Sequence, residues 1–258
     1  MRDDAGTWPF VGTMMVLDEV ESTSDLAAQL VRRGSVDLPL CVWARRQTRG
    51  RGRGTHSWWS DAGSLTFTLA IDPAAYGLAV ETEPKLALST AVAIIEALIE
   101  LGFDSPGLGI RWPNDVEVDG RKLGGILPER AETSQGRRIL IGVGVNVSTD
   151  PAAMPSDIQR MATSLSAMRE DRIGPETLPR LLATILSRFG PVLGHLAAGD
   201  AELAGRWNAL DLLRDRWVSV DLGPRILAGR GRGIDEDGAL CLDEGSTRHR
   251  LFGGQVLR

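Results

Sequence analysis

The sequence predicts an α+β protein in which a larger domain of mixed helices and strands is followed by a small β-barrel. Three observations support this fold class. Helical and strand-like patterns are interspersed over residues 1–212, whereas residues 216–258 contain only short strand-like pieces, as small barrels do. Hydrophobic residues make up 43% of the 258 residues, which is sufficient for a packed core.

The first helix is predicted from its capping residues. Ser22 has the position of an N-cap and Asp25 is the third helical residue, as in a capping box. Apolar residues then recur at helical spacing until Gly34, which ends the helix. A short apolar run at residues 40–44 predicts a strand. Apolar and small polar residues alternate over residues 65–71, which predicts a half-buried strand.

Proline and glycine delimit the elements in the middle of the chain. Pro84 opens a second helix, because the first helical position needs no N–H group, and Gly102 ends it. Asp119-Gly120 has the composition of a tight hairpin turn. This turn separates the second and third of four predicted strands, which lie at residues 109–112, 116–118, 123–127 and 138–147.

The remaining elements complete the larger domain and form the barrel. A loop rich in Ser, Thr, Asp and Pro is predicted at residues 148–157. Two helices, separated by an Ala-Ala-Gly-Asp break, follow at residues 178–196 and 202–210. Four short strands come last, at residues 217–222, 226–234, 240–242 and 248–252, with a hairpin turn at Asp237-Gly238. We therefore predict two domains, residues 1–212 and residues 213–258.

Composition and charge favour a cytoplasmic protein. No apolar run approaches the roughly 18–20 residues that span a bilayer, and residues 1–7 contain no hydrophobic signal region. Cys41 and Cys241 form no CxxC motif, and the three histidines lie far apart. We therefore predict neither a disulfide framework nor a metal ion held at a fixed protein site. The net charge of −5 argues against generic nucleic-acid binding.

Lysine is rare in this chain. Of the 29 basic residues, only Lys85 and Lys122 are lysines. Lys122 closes a cluster of unusual residues that begins with Arg111-Trp112-Pro113-Asn114-Asp115. Where almost every other cation is arginine, a retained lysine indicates a site that needs a compact ammonium group instead of a planar guanidinium fork.

The residues between the ends of this cluster predict a pocket. Asn114 and Asp115 follow a proline that fixes the local backbone, and Lys122 lies across the predicted hairpin. An amide and a carboxylate side by side can position a metal-bound phosphate, a ribose or an incoming amine. Gly124-Gly125 allows the backbone to approach a ligand closely. The structural alternative is a polar turn capped by Asn and Asp.

A second segment, residues 47–60, alternates glycine with arginine from Gly50 to Gly54. Such a segment can fold over an anion and offer both backbone N–H groups and guanidinium forks. Trp58-Trp59 follows directly, and two adjacent indoles can wall a nucleotide or ring pocket. The segment is not a Walker A loop. A flexible, solvated or RNA-touching loop is the structural alternative, as is core packing for one of the two indoles.

A third segment, Gly142-Val143-Gly144-Val145-Asn146-Val147, alternates small residues with valine and contains an asparagine near its end. Glycine inside a strand indicates a close neighbour. That neighbour is either backbone in a tightly packed sheet or a ligand.

Together the three segments resemble the biotin protein ligases. That family has Gly-Arg-Gly-Arg-Gly with a following Trp, then Lys/Arg-Trp-Pro-Asn-Asp with a Lys eight residues after the Asn, then Gly-x-Gly-x-Asn. The same motifs occur here in the same order, at residues 50–58, 111–122 and 142–146. Ser22-Thr23 resembles the family's Ser-Thr-Asn segment. The resemblance covers essentially the whole chain and implies a class II synthetase-like catalytic domain followed by an SH3-like barrel.

The resemblance implies a two-step reaction with biotin, ATP and Mg²⁺. Biotin is activated as biotinyl-5′-AMP and is then transferred to a lysine of the biotin carboxyl carrier domain of an acyl-CoA carboxylase. By resemblance the catalytic residues are Lys122, Arg53 and Asp115. The implied biotin-binding residues are Ser22, Thr23, Ser24, Gln47, Arg51, Gly52, Arg53, Lys122 and Gly125. The implied nucleotide-binding residues are Arg53, Trp58, Asn114, Asp115, Lys122 and Asn146.

Three positions depart from the family pattern. Ser24 stands where asparagine is usual, and its hydroxyl replaces one hydrogen bond of the amide but not both. Thr55 stands where a further glycine is common, which predicts a stiffer loop. Arg111 replaces the commoner lysine and keeps its charge. None of these changes removes the implied catalytic set.

The resemblance also bears on partners. The ligase-type region begins near the N-terminus, at about Val16, so we expect a stand-alone ligase without an N-terminal DNA-binding domain. A homodimer that joins two sheets edge to edge is possible within the family. Mg²⁺ is expected to arrive with ATP. We expect no partner DNA and no membrane.

Two alternatives remain at this point. A lipoate or octanoate ligase would share the catalytic core, but it would not usually have the Gly-Arg loop or the barrel. An RNA-binding module that uses the Gly-Arg loop and the barrel predicts steeply salt-dependent affinity for oligonucleotides.

Overall fold

The computed structural model describes residues 8–169, 171, 173–174 and 176–257. The predicted lack of a signal region at residues 1–7 falls outside them. Within the described residues the helices and strands are, in chain order, β1 (Thr13–Val20), α1 (Thr23–Arg33), β2 (Leu40–Gln47), β3 (Ser64–Ile71), α2 (Leu86–Glu100), β4 (Leu108–Arg111), β5 (Asp115–Val118), β6 (Arg121–Thr133), β7 (Gly136–Asn146), α3 (Ser156–Gln159), α4 (Leu165–Met168), α5 (Thr177–Ala198), α6 (Ala201–Ala209), β8 (Trp217–Asp221), β9 (Ile226–Ile234), β10 (Leu240–Glu244), β11 (Thr247–Leu251) and β12 (Gln255–Val256).

Strands β1–β7 form one mixed sheet in the order β1-β2-β3-β7-β6-β5-β4. β1 and β2 are parallel, and every other neighbouring pair is antiparallel. The predicted mixed-sheet α+β fold is therefore confirmed. Helix α1 covers one face of the sheet, and α2 and α5 lie on the other. β1 and β4 are the edge strands, and the pairing of two copies at an edge stays a prediction.

Helix α1 has the predicted ends. The Ser22 hydroxyl accepts a hydrogen bond from the Asp25 N–H at 3.3 Å, which satisfies one of the free donors of the first turn. Gly34 ends the helix with a φ of 65°, a left-handed conformation that glycine adopts without strain. Local chemistry alone therefore set both ends of this helix.

Strand β3 is buried along its whole length, so the prediction of one buried face was wrong. Its apolar residues, such as Phe67, pack into the core that α2 and α5 cover. Its small polar residues, such as Thr66 and Thr68, face the other way and are fully buried as well. They remain buried because α1 covers that face.

The prediction that Pro84 opens the second helix was also wrong. Residues Val80–Lys85 form a 3₁₀ helix, and α2 begins only at Leu86. The Leu86 N–H donates to the Glu83 carbonyl, an i→i−3 bond typical of 3₁₀ geometry. The missing N–H of Pro84 is therefore accommodated in a tighter turn ahead of the α-helix. Helix α2 is buried on almost every side, as expected for a helix that is apolar all round.

The predicted hairpin between β5 and β6 is confirmed. Asp119 and Gly120 have φ values of 49° and 74°, as a type I′ turn requires at both central positions. β6 runs to Thr133 and is longer than predicted, because β7 pairs with it from Gly136 onward. Trp112 lies beyond the end of β4.

Helix α5 is the one described helix that is long and apolar enough to cross a membrane. Half of the apolar stretch is buried inside the protein, where α5 packs against α2 and α6. A core helix passes the same length and composition test. The sequence prediction had not identified this stretch, because it considered unbroken apolar runs only.

The chain ends in a five-stranded antiparallel sheet with the order β11-β10-β9-β8-β12. Four of its strands were predicted, and β12 was not. Two indoles join this sheet to the larger domain: Trp112 Nε1, just after β4, donates to the Gly238 carbonyl at 3.0 Å, and Trp207 Nε1, on α6, donates to the Asp235 carbonyl at 3.1 Å. The domain boundary at residues 212/213 stays a prediction.

Asp211 lies at the junction between the two sheets and is expected to make stability depend on pH. Burial raises the pKa of its carboxyl group to about 6. One oxygen accepts from the Leu213 N–H at 3.0 Å, while the other is buried without a partner among the described residues. Between the pKa of this carboxyl group in the unfolded chain and about pH 6, the folded state binds one more proton than the unfolded state. Stability therefore falls as pH rises through that window and stays low above it.

We expect Asp211→Asn to abolish this decline and to raise the melting temperature at pH 7.5. Thermal unfolding followed from pH 4 to pH 7.5 measures both effects. Asp150→Asn is the matched control, because Asp150 accepts the same kind of backbone bond from Ala152 but is exposed. A pH profile of Asp211→Asn that overlays the wild-type profile would contradict the prediction.

Candidate active site

The predicted site residues surround one cavity of about 430 Å³, a size that suits a small-molecule ligand. Except for Ser22, every residue implied by the resemblance lines it: Thr23, Ser24, Gln47, Arg51, Gly52, Arg53, Trp58, Asn114, Asp115, Lys122, Gly125 and Asn146. The hydroxyl of Ser22 is used as the N-cap of α1. The structure thus assigns Ser22 to helix capping and not to the cavity wall.

Lys122 contacts an acidic and an aromatic side chain in the cavity. Its Nζ lies 2.6 Å from Asp115 Oδ1 and 5.9 Å from the centre of the Trp58 ring. Asp115 pairs with Gly125 across β5 and β6, whereas Glu117 pairs with Lys122, so a bulge lies between these two pairs. The bulge places Lys122 and Gly125 on the same side, where a Cβ added to Gly125 would lie 3.2 Å from Nζ.

A network of neutral hydrogen bonds occupies another part of the cavity wall. Gln47 Oε1 accepts from the Thr23 N–H at 2.8 Å and from its hydroxyl at 3.0 Å. The Thr23 and Ser24 hydroxyls both bond to the Thr68 hydroxyl, at 2.8 Å and 3.0 Å. Thr68 was not predicted, although it is one of the polar residues that alternate along β3. No charged side chain takes part in these bonds, so the network suits an uncharged polar ligand group.

The Gly-Arg segment folds back on itself as a compact loop. The Gly52 N–H donates to the His56 carbonyl at 2.8 Å, and the Trp58 N–H donates to the Gly50 carbonyl at 2.9 Å. A Cβ on Gly50 would lie 2.5 Å from the Trp58 carbonyl oxygen, so only glycine fits there. The two arginines face different partners. Arg51 pairs with Glu129 and Asp25, whereas Arg53 donates to the Gly254 carbonyl.

The glycines of strand β7 make room for site residues. A Cβ on Gly144 would lie 2.5 Å from Cζ2 of Trp58, and one on Gly142 would lie 3.0 Å from the Ser24 hydroxyl. Both glycines therefore provide space for side chains that line the cavity. The Trp58 Nε1 is buried without a partner among the described residues.

The two asparagines hold the backbone around Lys122. Asn114 Nδ2 donates to the Ile126 carbonyl at 2.8 Å, and Asn146 Nδ2 donates to the Thr163 carbonyl at 2.9 Å. The Lys122 carbonyl in turn accepts from the Thr163 N–H at 2.9 Å. Each asparagine thus uses its amide nitrogen to order the segments on either side of the lysine.

Sequence reasoning missed two parts of the cavity wall. Met154, Ile158 and Met161 form an apolar wall, and their spacing of four and three residues is a helical signal that could have been found. Residues 255–257 form another part of the wall, and Arg111 donates to the Leu257 carbonyl at 2.9 Å. No local pattern points to the contact between Arg111 and Leu257, because 146 positions separate the two residues in the chain.

Comparisons with known proteins identify the family of this chain. The profile of the Biotin/lipoate A/B protein ligase family matches residues 16–146. The biotin–[acetyl-CoA-carboxylase] ligase of Mycobacterium tuberculosis is 30% identical over 251 residues, which cover 93% of this chain and 88% of that protein. The ligase of the same name from Paracoccus denitrificans is 31% identical over 219 residues, which cover 83% and 88%.

A solved structure has the same fold. Biotin protein ligase from Aquifex aeolicus, in complex with biotin and ATP, superposes with a TM-score of 0.80 at 24% identity and covers 95% of this chain and 98% of that one. Together with the family profile and the two relatives, this match confirms the family that the three sequence motifs indicated. The chain belongs to the Biotin/lipoate A/B protein ligase family and is an enzyme of its biotin ligase branch.

Proposed function

We propose that this enzyme joins biotin to a protein lysine in two steps. In the first, a biotin carboxylate oxygen attacks the α-phosphorus of MgATP, the bond to the β-phosphate oxygen breaks, and pyrophosphate leaves. In the second, an unprotonated lysine amine of the acceptor attacks the acyl carbon of biotinyl-5′-AMP, the bond from that carbon to the phosphate oxygen breaks, AMP leaves, and the nitrogen loses one proton to solvent. The observation that carries this proposal is the Lys122 ammonium, held by Asp115 in a cavity that also contains a neutral hydrogen-bonding wall.

Lys122 has the central role in the proposal. Biotin and ATP are both anions, and their reaction requires two repelling groups to come together. A compact ammonium group between them offsets this repulsion and stabilises the negative charge that develops on oxygen. The 2.6 Å bond to Asp115 orients the ammonium before the reactants arrive. Arg53 supplies a second positive charge from the loop that borders the cavity.

The neutral wall suits the ring end of biotin. A ureido group has both donors and an acceptor but no charge, and Thr23, Ser24 and Gln47 present hydroxyl and amide groups. An alanine at Thr23 would remove one of the two hydrogen bonds of Gln47 Oε1 and one of the two of the Thr68 hydroxyl, and would leave the other bond of each in place. Trp58 offers an aromatic face for the nucleotide or the intermediate. Asn114 and Asn146 order the segments on either side of Lys122.

We further propose the biotin carboxyl carrier domain of an acyl-CoA carboxylase as the acceptor. The Mycobacterium tuberculosis and Paracoccus denitrificans relatives carry this acceptor enzyme in their names. Such an acceptor places the protein in the cytoplasm, and a homodimer joined at a sheet edge is compatible with this role. In this proposal Mg²⁺ arrives with ATP.

The test is ATP-dependent transfer of labelled biotin to a purified carrier domain, with labelled lipoate and octanoate in parallel. We expect biotinyl-5′-AMP in the absence of the carrier, and a labelled carrier lysine in its presence. Lipoyl-AMP or octanoyl-AMP as the sole acyl-adenylate would refute the choice of substrate. Oligonucleotide binding that weakens steeply with salt, without any adenylate, would instead support the RNA-binding alternative.

A further inference from the structure

Two carboxylates, those of Glu129 and Asp25, contact the guanidinium of Arg51. Its two terminal nitrogens donate to the two oxygens of Glu129 at 2.6 Å each, a bidentate pairing with defined geometry. Its Nε lies 3.1 Å from Asp25 Oδ1. All three nitrogens of this guanidinium therefore have carboxylate partners.

Both carboxylates belong to elements that build the site. Glu129 lies on β6, the strand that also carries Lys122 and Gly125. Asp25 lies in the first turn of α1, next to Ser24. Through Arg51 the loop is therefore attached to the strand with the catalytic lysine and to the helix with the neutral hydrogen-bonding wall. A rigid attachment of this kind fixes the position of the loop backbone over the cavity.

Arg53 has a different environment two residues later. It donates to a neutral carbonyl, that of Gly254, and within the described part of the chain no carboxylate forms an ion pair with it. Its positive charge is thus available for an anionic ligand, whereas two negative charges already surround Arg51. The two arginines of the loop therefore differ in electrostatic role, although the sequence presents them as equivalent.

We propose that Glu129 and Asp25 are positioning residues, and that Arg51 is the anchor through which they hold the loop closed. On this view Arg53 is the loop cation that faces the reactants. The proposal rests on the proposed function for the identity of the molecule retained, biotinyl-5′-AMP. When the anchor is lost, the loop opens more often, and the intermediate escapes to water before transfer.

The test compares Glu129→Gln, which keeps the shape and removes the charge, with Glu132→Gln, an exposed residue three positions further along β6. Tryptic cleavage after Arg53 in the ligand-free protein measures loop opening. The fraction of biotinyl-5′-AMP released to solution measures retention. For Glu129→Gln we expect both to rise roughly three- to tenfold, the range for a partly exposed bidentate pair, while Glu132→Gln matches the wild type.

A charge-swapped variant separates anchoring from substrate contact. Arg51→Glu combined with Glu129→Arg and Asp25→Asn restores an ion pair in reversed order without a repelling carboxylate at position 25, and we expect it to restore both slow cleavage and retention. Slow cleavage without retention would show that Arg51 itself contacts the reactants and would overturn its assignment as an anchor. Equal behaviour of Glu129→Gln and Glu132→Gln in both measurements would overturn the proposal as well. If the wild type forms no adenylate, the proposed function fails, while the cleavage measurement still decides the anchor.

Discussion

Replacing Lys122 by arginine is expected to lower the rate of adenylate formation by at least about 100-fold, the scale for loss of a positioned charge-stabilising group. The positive charge is kept, but the geometry is not. Nζ lies 2.6 Å from Asp115 Oδ1 and 5.9 Å from the centre of the Trp58 ring. A planar guanidinium is broader than an ammonium and cannot occupy the same space between these neighbours. Biotin-dependent release of pyrophosphate from ATP measures the rate.

Lys85→Arg is the matched control for this variant, because Lys85 is the only other lysine in the chain. Its Nζ lies 3.9 Å from Asp237 Oδ1, away from the cavity lining. We expect Lys85→Arg to keep the wild-type rate within about twofold, because its only ion pair is long and weak and lies outside the cavity. A wild-type rate for Lys122→Arg would refute the role assigned to the ammonium group.

Adding one methyl group at Gly144 is expected to raise the KM for ATP or biotin by roughly tenfold and to destabilise the fold by about 1–3 kcal/mol, as overpacking does. The Cβ of alanine would lie 2.5 Å from Cζ2 of Trp58, so the indole must move into the cavity or the strand must shift. Gly144 is buried on β7, where the backbone has little room to yield. Steady-state kinetics and thermal unfolding measure the two effects.

Gly194→Ala provides the control, since no heavy atom lies within 4 Å of a Cβ at Gly194. Gly194 lies within α5, where alanine is expected to stabilise the helix slightly. Trp58→Ala in the Gly144→Ala background removes the clash and is expected to recover part of the lost stability. If Gly144→Ala leaves both KM and melting temperature unchanged, the position of the Trp58 indole does not depend on this glycine.

The features that the sequence predicted correctly depend on a few neighbouring residues. The ends of α1 follow from Ser22 and Gly34, and the hairpin turn follows from Asp119-Gly120. Capping bonds and positive φ angles involve only local atoms, so the residue types suffice to identify them. Four strands of the C-terminal sheet were recognised in the same way, by short runs between turn residues.

The candidate site was predicted because its residues are concentrated in three motifs, whose order and spacing resemble one family. The cavity brings together 12 of the 13 residues that the resemblance implied. The exception is Ser22, and a sequence pattern cannot distinguish a hydroxyl that caps a helix from one that binds a ligand. Thr68 and residues 255–257 were missed, since neither belongs to a motif.

By itself the sequence determined the chemistry of this protein: one ammonium group, a Gly-Arg loop, and glycines where other side chains would not fit. Only the tertiary structure decided which faces of β3 are buried, on which side of the sheet the bulge in β6 places Lys122, and which carboxylates pair with Arg51. The physical reason is distance along the chain. The partners of Arg51 and Arg53 lie 78 and 201 positions away, and contacts of that range form only when the sheets and helices pack against one another.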